Sequence, residues 1–182
     1  MTDYVKMERD FITRTIEIID QYAERVLNKV PRDNEYEVTL LMNCLLGLLI
    51  YPQQIADREK AVWGQWLTNV KVVDIGLDWG IKPEYIKYAG WNTINLDRST
   101  GKPYLVELNV SDLTMRQLLR NMRNTAAHAS FKVHDSGEKT GQIRMIEFKA
   151  DPKNGGFHLE MPIESLETFL RQLAASALGV VG

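Results

Sequence analysis

Cysteine is nearly absent: Cys44 is the single one in 182 residues. One thiol cannot close an internal disulfide, so nothing ties the chain to an oxidising compartment. Set in an apolar run, Cys44 is expected to be a small buried residue. An excess of one charge is missing too: 22 Lys and Arg stand against 24 Asp and Glu, for a formal net charge of −2. That excludes a coat of basic charge for bulk nucleic-acid binding and leaves room for a local basic patch. The longest apolar run, Val38 to Ile50, is interrupted by Asn43 and Gly47 and falls short of the ~18 residues that suggest a membrane span. Asp3, Glu8, Arg9 and Asp10 leave the N-terminus without the apolar core of a signal peptide. A cytoplasmic chain without membrane contact is therefore expected. Also lacking are a phosphate-binding Gly-rich loop, a nucleophile elbow and a compact His/Cys/Asp/Glu metal-ligand cluster. No metal and no other cofactor is expected.

What remains is ordinary for a folded domain. At 182 residues, 45% hydrophobic and 25% charged, the chain fits one domain over 1–182 with a sizeable core. Asp3 to about Val30 reads as a long amphipathic helix, with Val5, Ile12, Ile16, Ile19, Ala23 and Val26 in one arc. Thr2 or Asp3 could cap it, and Pro31-Arg32-Asp33-Asn34 breaks it. Glu35 to Tyr51 reads as a second helix, apolar on nearly all sides and so central to a bundle. Gly47 shares a face with Asn43 and would let another helix approach closely. Pro52 ends or kinks that helix, and Gln53 to Leu67 is a third, shorter one.

Val70 to Val110, punctuated by Gly76, Gly80, Pro83, Gly90, Gly101 and Pro103, is expected to hold short helices and loops. Its Trp79, Tyr85, Tyr88 and Trp91 could stack on bases, but the commoner use of such rings is to pin an irregular segment to the core. Ser111 or Asp112 leads into a helix from Leu113 to about Ala129. The period then changes. Phe131 to His134, Gln142 to Ala150 and Phe157 to Met161 read as strands, separated by loops at Asp135–Gly141 and Asp151–Gly156. Leu166, Phe169, Leu170, Leu173 and Ala177 mark a closing amphipathic helix. The fold class expected is mainly α: a helical bundle with a small antiparallel β-hairpin or sheet, about 131–161, before the C-terminal helix.

The helix after Leu113 carries the clearest chemistry. At about 100° per residue, Arg116, Arg120 and Arg123 fall on one stripe, and Asn121, Asn124, Thr125 and His128 on the next. Met115, Leu118, Leu119, Met122, Ala126 and Ala129 take the opposite arc. Arginine offers a planar fork that matches phosphate oxygens and stays charged. Histidine moves protons near neutrality. RNA brings its own nucleophile, the 2′-hydroxyl, so an enzyme needs a proton acceptor, a stabiliser of transition-state charge and alignment. On spacing alone the same pattern also suits an ordinary solvated polar face. His134 and His158 read as structural or surface residues of strands, and Arg144 and Lys149 as exposed strand positions.

Arg123-Asn124-Thr125-Ala126-Ala127-His128 resembles the Arg-x4-6-His signature of the HEPN superfamily, with a polar residue directly after the arginine. Leu40-Leu41-Met42-Asn43-Cys44-Leu45-Leu46-Gly47-Leu48-Leu49-Ile50-Tyr51-Pro52 looks like the apolar second helix of one HEPN group, in which the motif helix precedes a β-hairpin and a closing helix. The resemblance implies a helical bundle, commonly a homodimer, whose Arg and His from two protomers form one composite, metal-independent endoribonuclease site. Carried onto this chain, Arg123 would bind phosphate and stabilise the phosphorane. His128 would act as general base or acid, and Asn124 would orient the pair or contact RNA. Products would be a 2′,3′-cyclic phosphate and a 5′-hydroxyl. Arg116, Arg120 and Asn121 join as RNA-binding candidates from the helical faces, not from the motif. A toxin or host-defence role, with an antitoxin or defence-system partner, is compatible with the resemblance. Some HEPN toxins are silenced by modification of a tyrosine two residues beyond the histidine; Ser130 stands there instead. Other HEPN domains bind RNA or nucleotides, or serve as interaction modules, without cleaving.

Overall fold

The computed structural model describes residues 10–21, 40, 42–48, 62–97, 99–128, 130–135, 143–151 and 156–181. The expected cap at Thr2 or Asp3, the break at Pro31–Asn34, the helix end at Pro52 and most of the turn before Gln142 lie outside these residues. Helical residues 10–21 form α1 and 42–48 form α2. They are followed by α3 (Val62–Asn69), α4 (Val72–Ile75), a 3-10 turn (Pro83–Tyr85) and three strands, β1 (Ile86–Tyr88), β2 (Trp91–Leu96) and β3 (Pro103–Glu107). A second 3-10 turn (Val110–Asp112) leads to α5 (Met115–Ala127), β4 (Phe131–Asp135), β5 (Ile143–Ala150), β6 (Phe157–Pro162) and α6 (Ile163–Val181).

A mainly α bundle with a small hairpin is not what forms. Strands β1, β6, β5 and β4, in that order, make a four-stranded antiparallel sheet, and β2 and β3 make a separate antiparallel pair. The molecule is an α+β fold in which the sheet is a full layer. The three strands expected between 131 and 161 are there, but the sheet gains its fourth from the segment read as short helices and loops. There Ile86 pairs with Leu159 and Tyr88 with His158. A three-residue strand is too short to show an alternation, and its partner lies some seventy residues away in the sequence.

The sheet has one wet and one dry face. Along β6, Phe157, Leu159 and Met161 are buried while His158 and Glu160 are half-buried, the two-residue period of a strand with one face on the core. Ile146 and Phe148 of β5 belong to that dry face, against which α5 and α6 pack. Leu166, Phe169, Leu170, Leu173 and Ala177 of α6 are all buried, as their spacing predicts. Each large side chain withdrawn from water contributes roughly 1.5–3 kcal/mol before conformational entropy is subtracted. Trp79 is buried between Trp66 and Phe169, at ring-centroid distances of 5.8 and 6.0 Å, so it pins its segment to the core. Cys44 is buried, and burial pushes its thiol pKa up.

Helix α1 turns Ile12 and Ile19 inward, and its Asp20 pairs with Arg171 of α6, which also meets Glu167 at 2.8 Å. Gly47 of α2 serves the close approach expected of it: a Cβ there would stand 2.8 Å from the Phe11 ring. Asn43 is exposed and so needs no buried partner.

Gly80 carries the tightest backbone requirement. Its φ is +74°, and a Cβ would lie 2.8 Å from the Ser165 carbonyl oxygen at the start of α6. Neither the left-handed backbone nor the rigid carbonyl can yield cheaply. Gly80→Ala should lower unfolding stability by about 1–3 kcal/mol, read as a reduced urea midpoint at unchanged slope.

Candidate functional site at the end of helix α5

Helix α5 begins one residue after a reciprocal cap. The Gln117 amide N–H donates to the Thr114 hydroxyl (3.3 Å), and the Thr114 N–H donates to Gln117 Oε1 (2.9 Å). Thr114, not Ser111 or Asp112, is the N-cap; those two sit in the preceding 3-10 turn, where Asp112 pairs with Lys71 at 3.0 Å. Two backbone bonds hold this end in place: Met115 N–H to the Val70 carbonyl (2.9 Å) and Val72 N–H to the Leu113 carbonyl (2.8 Å). The start of α5 is thus tied to the junction of α3 and α4.

The apolar arc packs inward as the helical period predicts. Met115, Leu118, Leu119, Met122 and Ala126 are buried. Thr125 joins them at 1% exposure, rather than the polar stripe to which its angle assigned it. Its hydroxyl lies 2.9 Å from the Asn121 carbonyl and 2.8 Å from that of Met122, within its own helix, which lets the side chain enter the core with its donor satisfied.

The other candidates divide by what already holds them. Arg116 donates to the Thr68 hydroxyl of α3 (3.2 Å), and Asn121 to the Ala89 carbonyl between β1 and β2 (3.3 Å). Both therefore brace α5 against its neighbours. Arg120 is exposed and has no hydrogen bond or ion pair among the described residues. Arg123, half-buried, donates through Nη2 to Asn124 Oδ1 (3.2 Å). The amide next to the arginine thus fixes the direction of the guanidinium.

His128 is the C-cap of α5, with φ −94° and ψ 12°. Its backbone N–H donates to the Asn124 carbonyl (3.1 Å), its side chain is exposed, and the imidazole has no hydrogen-bond partner among the described residues. Ser130 then secures the exit. Its N–H donates to the Thr125 carbonyl (2.8 Å), its carbonyl accepts from Lys149 N–H of β5 (3.0 Å), and its hydroxyl lies 3.3 Å from the His128 carbonyl. Asn124, Thr125, His128, Ser130 and Ala150 line one cleft of about 220 Å³.

Two of the three motif residues therefore open into the same small space, and the third is hydrogen-bonded to one of them. The arginines of the outer stripe do not line it. Ser130 joins the site, having drawn notice in the sequence only as the position where some relatives carry a tyrosine. Its place directly between the motif helix and a strand was the available signal. The donors and acceptors here (amide, hydroxyl, imidazole, with a guanidinium at the edge) suit an anionic, hydrogen-bonding ligand and proton exchange.

Because α5 is placed by its cap as well as by its packing, Thr114→Ala removes the hydroxyl that accepts the Gln117 N–H, while the other half of the cap, Thr114 backbone N–H to Gln117 Oε1, remains. The expected loss is about 0.5–2 kcal/mol of stability by urea denaturation, while Thr114→Ser should retain most of it.

Comparison with known proteins adds an independent line. A family model described as HEPN pEK499 p136 matches residues 1–180. No curated protein and no solved structure matches the chain. No helix among the described residues is long and apolar enough to cross a membrane. With a match over nearly the whole chain, including the Arg123–His128 segment, the protein belongs to the HEPN superfamily, in the family described as HEPN pEK499 p136.

Proposed function

We propose that this protein is an endoribonuclease that cleaves RNA by attack of the 2′-hydroxyl, without a metal, at a composite site built from two copies of the chain. One observation carries the reading. His128 presents an imidazole with no competing hydrogen bond into the cleft it shares with Asn124, while Asn124 holds the Arg123 guanidinium alongside. In the proposed reaction His128 of one copy takes the 2′-hydroxyl proton as the O2′–P bond forms. The P–O5′ bond breaks, and the leaving 5′-oxygen receives a proton from the imidazole of the second copy. Arg123 offsets the charge that builds on the phosphorane oxygens. The products are a 2′,3′-cyclic phosphate and a 5′-hydroxyl. Arg120 is the outer cation available to a neighbouring phosphate, whereas Arg116 and Asn121 reach RNA only by leaving Thr68 and Ala89. A toxin or host-defence setting, with an antitoxin or defence-system partner, goes with this reading and rests on the resemblance alone.

The size of the cleft favours a second reading. At about 220 Å³ it is smaller than the roughly 300–1,000 Å³ of most small-molecule sites and has room for one phosphate-bearing unit. A non-catalytic RNA- or nucleotide-binding module, or an interaction module, would need no more.

Mixed cellular RNA incubated with the protein in EDTA distinguishes the two. The ribonuclease reading expects cyclic-phosphate ends from the wild type, and a loss of about 10²–10⁴-fold in His128→Ala and Arg123→Ala at unchanged melting temperature. It also expects a dimeric mass by light scattering. Salt-sensitive binding with intact RNA in all three proteins would sink it and support the binding module.

A further inference from the structure

The wet face of the four-stranded sheet holds a second cluster of titratable groups, unrelated to the α5 cleft. Glu147 lies at its centre. Although charged, it is only 7% exposed. Register explains its company: Glu147 stands opposite Lys132 of β4 on one side and Glu160 of β6 on the other. His134 Nε2 lies 3.0 Å from Glu147 Oε2. His158 Nε2 lies 3.1 Å from Glu147 Oε1 and 3.1 Å from Glu160 Oε1.

Glu160 meets Glu147 on the side away from Lys132. Two carboxylates directly opposite each other on paired strands repel. A ring nitrogen carries at most one hydrogen, so His158 Nε2 can donate well to only one of the two oxygens beside it. Lys132, opposite Glu147, does not separate the two carboxylates, because it lies on the far strand from Glu160. The donor atoms of Glu147, His158 and Glu160 all fall within 4.8 Å of one another. Around a tetrahedral zinc ion with bonds of about 2.0–2.1 Å, neighbouring ligand atoms are roughly 3.3–3.4 Å apart. The two 3.1 Å separations at His158 Nε2 are already close to that spacing.

We propose that Glu147 Oε1, His158 Nε2 and Glu160 Oε1 form a binding site for a divalent transition-metal ion of the zinc type. An imidazole with two carboxylates suits zinc, and three protein ligands leave a fourth position for water. His134 is the positioning residue. It holds the second oxygen of Glu147, as an imidazole or carboxylate partner commonly orients a metal ligand. The ion would clip β5 to β6 on the wet face and neutralise the opposed carboxylates. Its role is structural, and its fate is independent of the ribonuclease reading, since the cluster shares no residue with the cleft.

The test uses the full chain, freed of metal by chelation and titrated calorimetrically with Zn²⁺. One ion per chain is expected, with a melting temperature that rises with zinc. His134→Ala should weaken binding about 10–100-fold. His158→Ala and Glu160→Gln should abolish stoichiometric binding, and His128→Ala should leave it intact. Should His158→Ala fail to fold, half-exposed Glu160 still carries the test. The proposal is overturned if the wild type shows no saturable binding, if folded Glu160→Gln binds as tightly as wild type, or if His128→Ala loses the ion.

Discussion

Packing of α5 against β5 is the constraint from which the rest of this molecule follows. Leu118, Leu119 and Met122 meet a dry sheet face that includes Ile146 and Phe148, and that contact fixes the rotation of the helix about its axis. Once the rotation is fixed, so is every outward side chain. Arg120 points to water, Arg116 and Asn121 reach neighbouring elements, and Asn124 and His128 open beside Ser130. A turn of the helix by one residue, about 100°, would bury a guanidinium and expose a core methionine. The cost of that exchange is the reason the polar groups can be placed at all.

The sheet is used on both sides, for different purposes. Its dry face supplies apolar area. Its wet face buries a carboxylate, and the physical balance there is finely set. Burial alone would push the Glu147 carboxyl up, but the hydrogen bond from His134 and the electrostatic influence of His158, Lys132 and His134 outweigh it and hold the group below its ordinary range. A buried charge persists where such partners surround it. Glu147 is the position on β5 where the expected alternation fails, since it is buried between two buried neighbours of the opposite face.

How much of this the sequence disclosed depends on the range over which each signal acts. The inward and outward arcs of α5 were legible because a helix repeats within four residues. Thr125 was misplaced because a threonine hydroxyl can be satisfied by its own helix, which spacing does not reveal. The cap was missed although Thr114 and Gln117 form a three-residue-spaced pair, since Ser111 and Asp112 offered equally good capping chemistry nearby. Strand β1 was illegible because its identity comes from β6, far along the chain. The same reason hid the Glu147, His158 and Glu160 group. Compactness along the chain is the wrong measure for side chains brought together by strand register, and only His158 and Glu160, two apart on one strand, left a local trace. The HEPN membership, by contrast, was readable from the short Arg123–His128 segment and its flanking elements.

Ser130 has a consequence beyond lining a cleft. Its N–H is bonded to the last turn of α5 and its carbonyl to Lys149 of β5, so a single peptide unit on each side of one residue bolts the helix terminus to the sheet. Helix ends ordinarily fray, and a histidine at a C-cap would share that looseness. Here the chain just beyond His128 is anchored to β5 through the Ser130 carbonyl. The backbone that carries the imidazole is therefore tied to two elements at once, the last turn of α5 and the strand β5.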